Sequence, residues 1–269
     1  MAMAITLKKI IETKRVEVAQ AKKDIPLSVL QSEIETLPRC RNFYRTLTEP
    51  VARGIHVIAE IKKASPSAGL IREDFDPVAI AGIYEAAGAN AISVLTDESY
   101  FQGRLDFLTM VKETVQLPIL RKDFIIDPYQ VYQSRVAGAD AILLIAEALK
   151  PAEVMDLMIL ANSLGLTVLL EVHEMESLLQ MRSVIGFPQE NYSLLGINNR
   201  NLKSMEVNLG HSFRMIGMLD STKGVISESG IKTHDDVQQL KRAGFGGVLV
   251  GETLMRQDNI AEAFKATFD

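Results

Sequence analysis

The feature that most constrains the fold of this 269-residue chain is a regular alternation of two kinds of segment. Short apolar runs rich in β-branched residues recur along most of the chain, and such runs are typical of strands buried on both faces. An amphipathic stretch with helical spacing follows each run, for example at Tyr129–Ala137 and at His234–Ala243. The predicted strands are Ile55–Ala59, Ala91–Leu95, Pro118–Leu120, Ala141–Ile145, Thr167–Leu170, Ser193–Ile197, Gly224–Ile226 and Gly247–Val250.

The order of these segments predicts an α/β protein with the architecture of a single closed (β/α)8 TIM barrel. Pro77, Pro128 and Pro151 stand at three predicted helix starts, where a missing backbone donor costs least. An open doubly wound sheet is the competing architecture. It is disfavoured because no Gly-x-Gly-x-x-Gly motif follows the first predicted strand.

The first part of the chain has a different pattern, and we assign residues 1–50 to an N-terminal helical extension packed on the barrel. Apolar residues alternate there with lysines and glutamates at helical spacing, and further short helices are predicted at Leu27–Glu35 and Arg41–Leu47. Residues 51–269 would form the barrel, which is the catalytic domain. We expect the extension to cap the bottom of the barrel, and consider a flap over the substrate as the alternative.

Composition restricts the classes of partner. The net charge is −5 and no block of lysines and arginines stands out, which argues against nucleic acid and against an acidic membrane surface. Cys40 is the only cysteine and the four histidines show no metal-ligand spacing, so we expect neither a disulfide framework nor a metal site. With no leader sequence and no apolar run of about eighteen residues, we expect a cytoplasmic protein. We also expect the protein to be a monomer.

The segment Pro118–Phe124 indicates where chemistry takes place. It is predicted to be a short buried strand that ends at Lys122. An ammonium group next to an apolar run is costly to desolvate unless carboxylates or an anionic ligand surround it. We therefore predict that Lys122 is the centre of an active site.

Other predicted strands also end in charged or polar residues, and the carboxyl ends of barrel strands meet at one mouth. These residues are Glu60, Lys62, Thr96, Glu147, Glu171, Asn198, Arg200 and Glu228. A mouth that holds both ammonium groups and carboxylates can donate a proton to a substrate and remove another. The alternative for each residue is an internal ion pair without a catalytic role. We favour that alternative for Glu147, and a catalytic role for Lys122 and Glu171.

Two glycine-containing loops follow the seventh and eighth predicted strands, where barrel enzymes often bind phosphate. They are Ser227–Ile231, with Ser229 and Gly230, and Val250–Glu252, with Gly251. Glycine lets backbone N–H groups approach an anion closely. The loop Lys62–Gly69 after the first strand is rich in small and hydroxyl residues, and we expect it to be flexible. Phe101 and Phe124 follow the second and third strands and could form the wall of a pocket for an aromatic ligand.

Taken together, these motifs resemble the indole-3-glycerol phosphate synthase family, and the resemblance covers essentially the whole chain. It is carried by Glu60-Ile-Lys62-Lys-Ala-Ser65-Pro66-Ser67, Leu120-Arg-Lys122-Asp-Phe124, Leu170-Glu171-Val-His, Gly196-Ile-Asn198-Asn-Arg200-Asn-Leu202, Ser227-Glu228-Ser229-Gly230-Ile and Val250-Gly251-Glu252. The lysine strand and the Ser-Pro-Ser loop are the most specific of these.

The resemblance implies a carboxy-lyase reaction of tryptophan biosynthesis that needs no cofactor. The substrate would be an anionic phosphosugar, 1-(2-carboxyphenylamino)-1-deoxyribulose 5-phosphate. It would close to indole-3-glycerol phosphate with loss of carbon dioxide and water. A carboxylate held in an apolar pocket is less well solvated than in water, and this assists decarboxylation.

The resemblance also implies a role for each matched residue. Lys122 would be the general acid that protonates the ketone oxygen, and Lys62 would contact the substrate and donate a proton when the hydroxyl leaves. Glu60 and Glu171 would be a base and an electrostatic support, and which does which stays open. The substrate would be oriented by Asn198, Arg200 and Glu228, and its phosphate bound by Ser229, Gly230 and Gly251. Its ring would be enclosed by Pro66, Phe101, Phe124 and Leu202, and Ser65 would also contact the substrate.

Two departures from the family pattern and two rival functions remain. Glu252 stands where some members have a hydroxyl residue, which removes a phosphate contact, and Asn201 stands where many have aspartate. The first rival is a Schiff-base aldolase with Lys122 as the nucleophile. The second is a non-catalytic phosphosugar-binding barrel, although such a protein need not keep the full set of charged residues.

Overall fold

The computed structural model describes residues 6–185, 192–202 and 204–269, and eight parallel strands in these ranges form a closed barrel. The strands are β1 His56–Ile61, β2 Ala91–Leu95, β3 Ile119–Lys122, β4 Ala141–Ile145, β5 Thr167–Val172, β6 Ser193–Asn198, β7 Val225–Glu228 and β8 Gly247–Val250. Strands that are consecutive along the chain pair with each other in the sheet. β1 closes the ring, because its Ile58 pairs with Ala91 of β2 on one side and with Leu249 of β8 on the other. The predicted (β/α)8 TIM barrel is confirmed.

Helices precede the barrel and connect its strands. They are α1 Leu7–Asp24, α2 Leu27–Ile34, α3 Phe43–Thr46, α4 Pro77–Ala86, α5 Glu98–Phe101, α6 Leu105–Thr114, α7 Pro128–Val136, α8 Pro151–Ser163, α9 Met175–Ile185, α10 Gly210–Ile216, α11 His234–Arg242, α12 Glu252–Met255 and α13 Ile260–Phe268, with a 3-10 turn at Ala146–Ala148. Asp76 and Asp127 cap α4 and α7, and a proline occupies the first turn of both helices. No helix in the described ranges is long and apolar enough to cross a membrane.

The barrel interior is filled by apolar side chains from alternating positions of the strands, as expected for this fold. Ile58, Leu120, Leu169 and Ile226 belong to this inner cluster, and Phe43 of α3 packs into the same cluster. The segment after α3 reaches the amino-terminal end of β1, where Nε2 of His56 lies 2.8 Å from the carbonyl oxygen of Glu49. Helix α3 therefore covers the bottom of the barrel.

Helix α1 lies at the opposite end, which differs from the expectation that the whole extension caps the bottom. Nζ of Lys14 is 2.8 Å from Oδ2 of Asp97 and 2.9 Å from Oδ1 of Asp123. Asp97 is the second residue after β2, and Asp123 directly follows β3. Leu7 and Ile10 of the same helix line the cavity at the mouth. The expectation is wrong for α1 because its amphipathic pattern does not show which end of the barrel its buried face contacts.

The division of the chain into an extension of residues 1–50 and a barrel of residues 51–269 stays our proposal, and residues 1–5 of it lie outside the described residues. The loop after β1 contains regular structure that the sequence did not predict. Ala64–Ser65 and Gly69–Leu70 form a small antiparallel hairpin, and Gly69 adopts a positive φ of 66° at its turn. The expectation that this loop is flexible stays a prediction.

Candidate active site

A cavity opens at the carboxyl ends of the strands, as the barrel fold dictates. Its lining contains the residues to which the resemblance assigns a role, namely Glu60, Lys62, Ser65, Pro66, Phe101, Lys122, Phe124, Glu171, Asn198, Arg200, Leu202, Glu228, Ser229, Gly230 and Gly251. Thr96 and Glu147, which were also predicted at the mouth, do not belong to this lining. The lining residues lie at the carboxyl ends of the strands or in the loops that follow them, so the closure of the barrel brings them together. Their catalytic and binding roles remain predictions.

Lys122 extends from the end of β3 into the middle of this cavity. Its Nζ lies 2.9 Å from Oε2 of Glu171 and 3.3 Å from Oε2 of Glu228. Burial opposes the charged form, but the neighbouring carboxylates, led by Glu171 and Glu228, outweigh it and raise the pKa of the ammonium. Lys122 is therefore protonated at neutral pH.

The pKa values of Glu171 and Glu228 are shifted in opposite directions, although both side chains are buried. Burial alone raises the pKa of Glu171, but Lys122 and a hydrogen bond with His173 lower it well below its ordinary value. Burial also raises the pKa of Glu228. The nearby Lys122 lowers this pKa, but burial and the negative charge of Glu171 together outweigh the effect of Lys122. At neutral pH, Glu171 carries the negative charge, and Glu228 holds a proton more readily.

Glu60 and Lys62 form a second pair of opposite charges at the end of β1. Nζ of Lys62 donates to Oε1 of Glu60, and both side chains are largely buried. The hydroxyl of Tyr84 donates to the backbone oxygen of Glu60 over 3.2 Å. On the other side, a Cβ at position 251 would overlap Oε1 of Glu60 and lie 3.0 Å from its Cβ. Gly251 therefore makes room for Glu60, a role that the sequence did not indicate.

The two loops proposed to bind phosphate line one side of the cavity. Ser229 and Gly230 both have positive φ angles, 66° and 79°, so the backbone bends sharply directly after β7. Nδ2 of Asn199 holds this bend by donating to the carbonyl oxygens of Glu228 and Ser229, each over 3.0 Å. Consecutive backbone N–H groups in such a bend can form a concave anion site.

Glu252 also lines the cavity beside these loops. Nε of Arg256 donates to its Oε1 over 2.9 Å, which partly neutralises the carboxylate. Thr253 lines the cavity as well, and its hydroxyl donates to the carbonyl oxygen of Ile231 over 2.6 Å. The hydroxyl of Thr253 was missed by the sequence reasoning.

The apolar wall of the cavity is built around two rings. The centroids of Phe101 and Phe124 lie 6.0 Å apart with an interplanar angle of 42°. Leu7 and Ile10 of α1 complete this lining, together with Leu95 and Leu143 from β2 and β4. The sequence indicated no residue of α1 as part of the site, because its amphipathic pattern does not show where that helix lies on the barrel.

His173 is a further residue of the site that the sequence showed only as part of a motif. It lines the cavity, and its Nε2 lies 2.8 Å from Oε1 of Glu171. Its Nδ1 lies 2.8 Å from the carbonyl oxygen of Arg200. Its backbone N–H donates to Oε1 of Glu147 over 2.9 Å. Glu147 thus contacts the backbone after β5, which accords with the structural role favoured for it.

A cluster of buried charges lies next to the cavity and joins α1 to the end of β3. Asp123 accepts from Lys14 over 2.9 Å, from Arg121 over 3.0 Å and from the hydroxyl of Thr96 over 2.6 Å. Its Oδ1 also accepts from the backbone N–H of Phe124 over 2.8 Å. The pKa of the Asp123 carboxyl lies well below its ordinary value because Arg121 and Lys14 outweigh the effect of burial. This cluster fixes the residue next to Lys122.

Comparison with solved structures supports the fold. The crystal structure of KGPDC from Streptococcus mutans aligns with a TM-score of 0.58 at 12% identity, over 79% of this chain and 95% of that one. Thiamine phosphate pyrophosphorylase from Pyrococcus furiosus aligns with a TM-score of 0.55 at 12% identity, over 80% and 94% of the two chains. At this identity the likeness concerns the fold alone.

Comparison of sequences is more specific. The family profile described as indole-3-glycerol phosphate synthase matches residues 7–267. A protein of that name from Rhodopirellula baltica is 48% identical over 257 residues, which cover 96% of each chain. Another from Polaromonas naphthalenivorans is 44% identical over 270 aligned positions, which cover 99% of each chain. With this similarity over nearly its whole length, the chain belongs to the indole-3-glycerol phosphate synthase family.

Proposed function

We propose that this cavity converts 1-(2-carboxyphenylamino)-1-deoxyribulose 5-phosphate to indole-3-glycerol phosphate, carbon dioxide and water, the decarboxylative ring closure of tryptophan biosynthesis. The observation that carries the proposal is the position of Lys122. Its ammonium nitrogen lies between the carboxylates of Glu171 and Glu228, at 2.9 and 3.3 Å, inside a cavity that also has an apolar wall. Such a site can donate a proton while a nearby anion accepts one.

In the first step, the aryl carbon that carries the carboxylate attacks the ketone carbon of the sugar, and a new carbon–carbon bond forms. The ketone oxygen takes a proton from Lys122 and becomes a hydroxyl. Carbon dioxide then leaves, and the electron pair of the broken bond restores the aromatic ring. Phe101 and Phe124 enclose the aryl ring in this proposal and limit the access of water to the departing carboxylate.

In the second step, the hydroxyl leaves as water, and the carbon next to the ring nitrogen loses a proton. We assign the base to Glu171, because Lys122 and His173 keep its pKa low and its carboxylate ionised. Lys62 supplies the proton to the leaving hydroxyl, and Glu60, paired with Lys62, supplies electrostatic support. The two products are then the indole and one molecule of water.

The remaining residues hold the substrate in this proposal. Ser229 and Gly230, together with Gly251, bind the phosphate through backbone N–H groups and the serine hydroxyl. Asn198 and Arg200 orient the sugar. Oδ1 of Asn198 accepts from the backbone N–H of Arg200 over 3.0 Å, which links these two residues. Glu228 helps to orient the sugar hydroxyls, and the pocket for the aryl ring is completed by Ser65, Pro66 and Leu202.

The Schiff-base alternative requires a neutral amine at Lys122, because only the free base is nucleophilic. The surrounding carboxylates oppose this, since they raise the pKa of Lys122. Catalytic lysines of that class instead sit in apolar pockets or next to other cations, which lower their pKa. The environment of Lys122 therefore supports a proton donor.

The test is to supply the carboxyphenylamino deoxyribulose phosphate and to record indole fluorescence and carbon dioxide release together. We expect the two products in equal amounts, each formed at the same rate. Borohydride added during turnover should not attach substrate to the protein. A covalent adduct on Lys122, or fluorescence without carbon dioxide, would contradict the proposed reaction.

We also propose that the protein works in the cytoplasm as a monomer, on a small-molecule substrate, without nucleic acid or membrane as a partner. The mildly negative net charge of −5 supports the exclusion of these two polyanionic surfaces. Light scattering across a range of protein concentrations would test the monomer. A mass that rises towards that of a dimer would contradict it.

A further inference from the structure

His173 stands out because both of its ring nitrogens face oxygen atoms. Nδ1 lies 2.8 Å from the carbonyl oxygen of Arg200, which can only accept a hydrogen bond. Nε2 lies 2.8 Å from Oε1 of Glu171, and this carboxylate is ionised in the site. Both distances are those of good hydrogen bonds. The side chains of His173 and Glu171 are each only 3% exposed, so water does not compete for these positions.

A neutral imidazole cannot satisfy both neighbours. It has one N–H group and one bare nitrogen, so one of the two contacts would then bring a lone pair against an oxygen lone pair. The imidazolium form has two N–H groups and donates to both acceptors. Burial opposes protonation, but the hydrogen bond with Glu171 and its charge outweigh it and raise the pKa of His173. The hydrogen-bond geometry and the surrounding charges therefore both favour the imidazolium form of His173.

We propose that His173 is a positioning residue, which as an imidazolium ion holds Glu171 in place for proton removal, and this inference rests on the function proposed above. The contact from His173 occupies Oε1 of Glu171, so that the other oxygen, Oε2, faces Lys122 at 2.9 Å. The same contact stabilises the ionised form of the base. His173 thereby sets both the orientation of Glu171 and its proton affinity.

Other charged groups around the pair do not replace this contact. Lys122 and Glu228 face Glu171 from β3 and β7, and Glu147 lies on the backbone side of His173. His211 of α10 also faces His173. Burial lowers the pKa of the His211 ring, which favours its neutral form. Lys122 remains a cation next to Glu171 in a His173 variant. The loss of His173 should therefore weaken the ionised state of Glu171 without abolishing it.

The two nitrogens of His173 can be tested separately. In His173→Gln the side-chain amide can reach the position of Nε2 and still donate to Glu171. In His173→Asn the shorter amide reaches only the position of Nδ1, next to the carbonyl oxygen of Arg200. His234→Asn, at an exposed position on α11, is the matched control for the loss of a histidine.

We expect His173→Asn to lower kcat about ten- to a hundredfold, the usual effect of losing a hydrogen bond to a charged group. Its acid limb in the pH profile of kcat/KM should move to higher pH, because Glu171 loses a donor and binds a proton more readily. His173→Gln should keep kcat within about fivefold of the wild type and a nearly unchanged acid limb. Equal losses in both variants with an unmoved acid limb, or no loss in either, would overturn the proposal.

A spectroscopic measurement on the wild-type protein decides the matter even if a variant does not fold. In protein with ¹⁵N-labelled histidine, the NMR signals of His173 are assigned as those that are absent from the spectrum of His173→Gln. If that variant cannot be made, they are assigned as the histidine signals that substrate broadens selectively. We expect both ring nitrogens to carry protons at about pH 7.5, above the ordinary pKa of histidine. A single protonated nitrogen there would refute the imidazolium. Failure of the proposed function is distinguished separately, because wild-type protein would then release no carbon dioxide from the substrate.

Discussion

Gly196 leaves the space that the carboxylate of Glu228 occupies, since an ideal Cβ on residue 196 would overlap Oε1 of Glu228. The two residues lie on neighbouring strands, β6 and β7, where Asn198 pairs with Glu228. The side chain of Glu228 is buried, with only 1% of its surface exposed. A missing side chain on one strand thus determines where an acidic group on the next strand points.

Gly196→Ala should therefore displace Glu228 and with it the ammonium of Lys122. We expect kcat to fall about tenfold or more, because small displacements of catalytic groups are costly. The matched control is Gly82→Ala in α4, where no atom lies within 4 Å of the added Cβ, and the same substitution should leave kcat unchanged. Wild-type kcat in Gly196→Ala would show that the position of Glu228 does not matter.

Much of the fold and of the candidate site could be predicted because both follow from local pattern. Strands buried on both faces are continuously apolar, so β2, β4 and β8 have the predicted bounds, whereas β1 starts one residue later and ends two residues later than predicted. Polar residues that end such strands must meet at one mouth once the barrel closes. Lys122 and Glu171 were placed in the site by that rule.

The parts that could not be predicted depend on contacts between distant segments. Lys14 looks like one of several solvated lysines of α1, and only the fold reveals that it is buried against Asp97 and Asp123. The hydrogen bonds of His173 depend likewise on the path of the loop that carries Arg200. Neither contact leaves a periodic signal in the sequence.

Removal of the proposed general acid should affect the reaction most strongly. We expect Lys122→Ala to lower kcat by at least about two to three orders of magnitude, as is usual for the loss of a positioned acid. Stopped-flow or steady-state indole fluorescence measures this directly. Lys265→Ala, at an exposed position on α13, is the control and should match the wild type. Near-native turnover of Lys122→Ala would end the assignment of Lys122.

The proposal that the loop with Ser229 binds the substrate phosphate can be tested with two variants of Ser229 that differ only in charge. Aspartate and asparagine have almost the same shape, and both tolerate the positive φ of 66° found there. Ser229→Asp should raise KM about tenfold or more above that of Ser229→Asn, since a carboxylate would repel the phosphate at close range. Steady-state kinetics of the two variants provide the comparison. If their KM values are equal, the substrate phosphate is bound elsewhere.

Glu252 places a native carboxylate beside the same loops, and its contact with Arg256 neutralises it only in part. Glu252→Gln removes the charge while keeping the shape. We expect KM to fall about two- to fivefold at low ionic strength, and the difference to shrink as added salt screens the charge. KM measured at two salt concentrations tests this. An unchanged or raised KM at low salt would show that Glu252 does not repel the substrate.

Lys14 should contribute to stability as the only lysine that joins α1 to the buried acids Asp97 and Asp123 in the described structure. Burial would lower the pKa of Lys14, but these two carboxylates outweigh it and raise the pKa above its ordinary value. In Lys14→Met both acids would be left buried without this cation. Breaking a buried ion pair from one side typically costs about 3–5 kcal/mol of unfolding free energy.

We therefore expect the free energy of unfolding of Lys14→Met, measured by urea denaturation, to fall by about that amount relative to the wild type. Lys8→Met, on the same helix but outside this cluster, is the matched control and should change it by no more than about 0.5 kcal/mol. Asp123 directly follows Lys122, so kcat of Lys14→Met should also fall under conditions where the variant remains folded. Equal stability of the two variants would mean that α1 is held on the barrel mouth by its apolar contacts, and that the ion cluster does not anchor it.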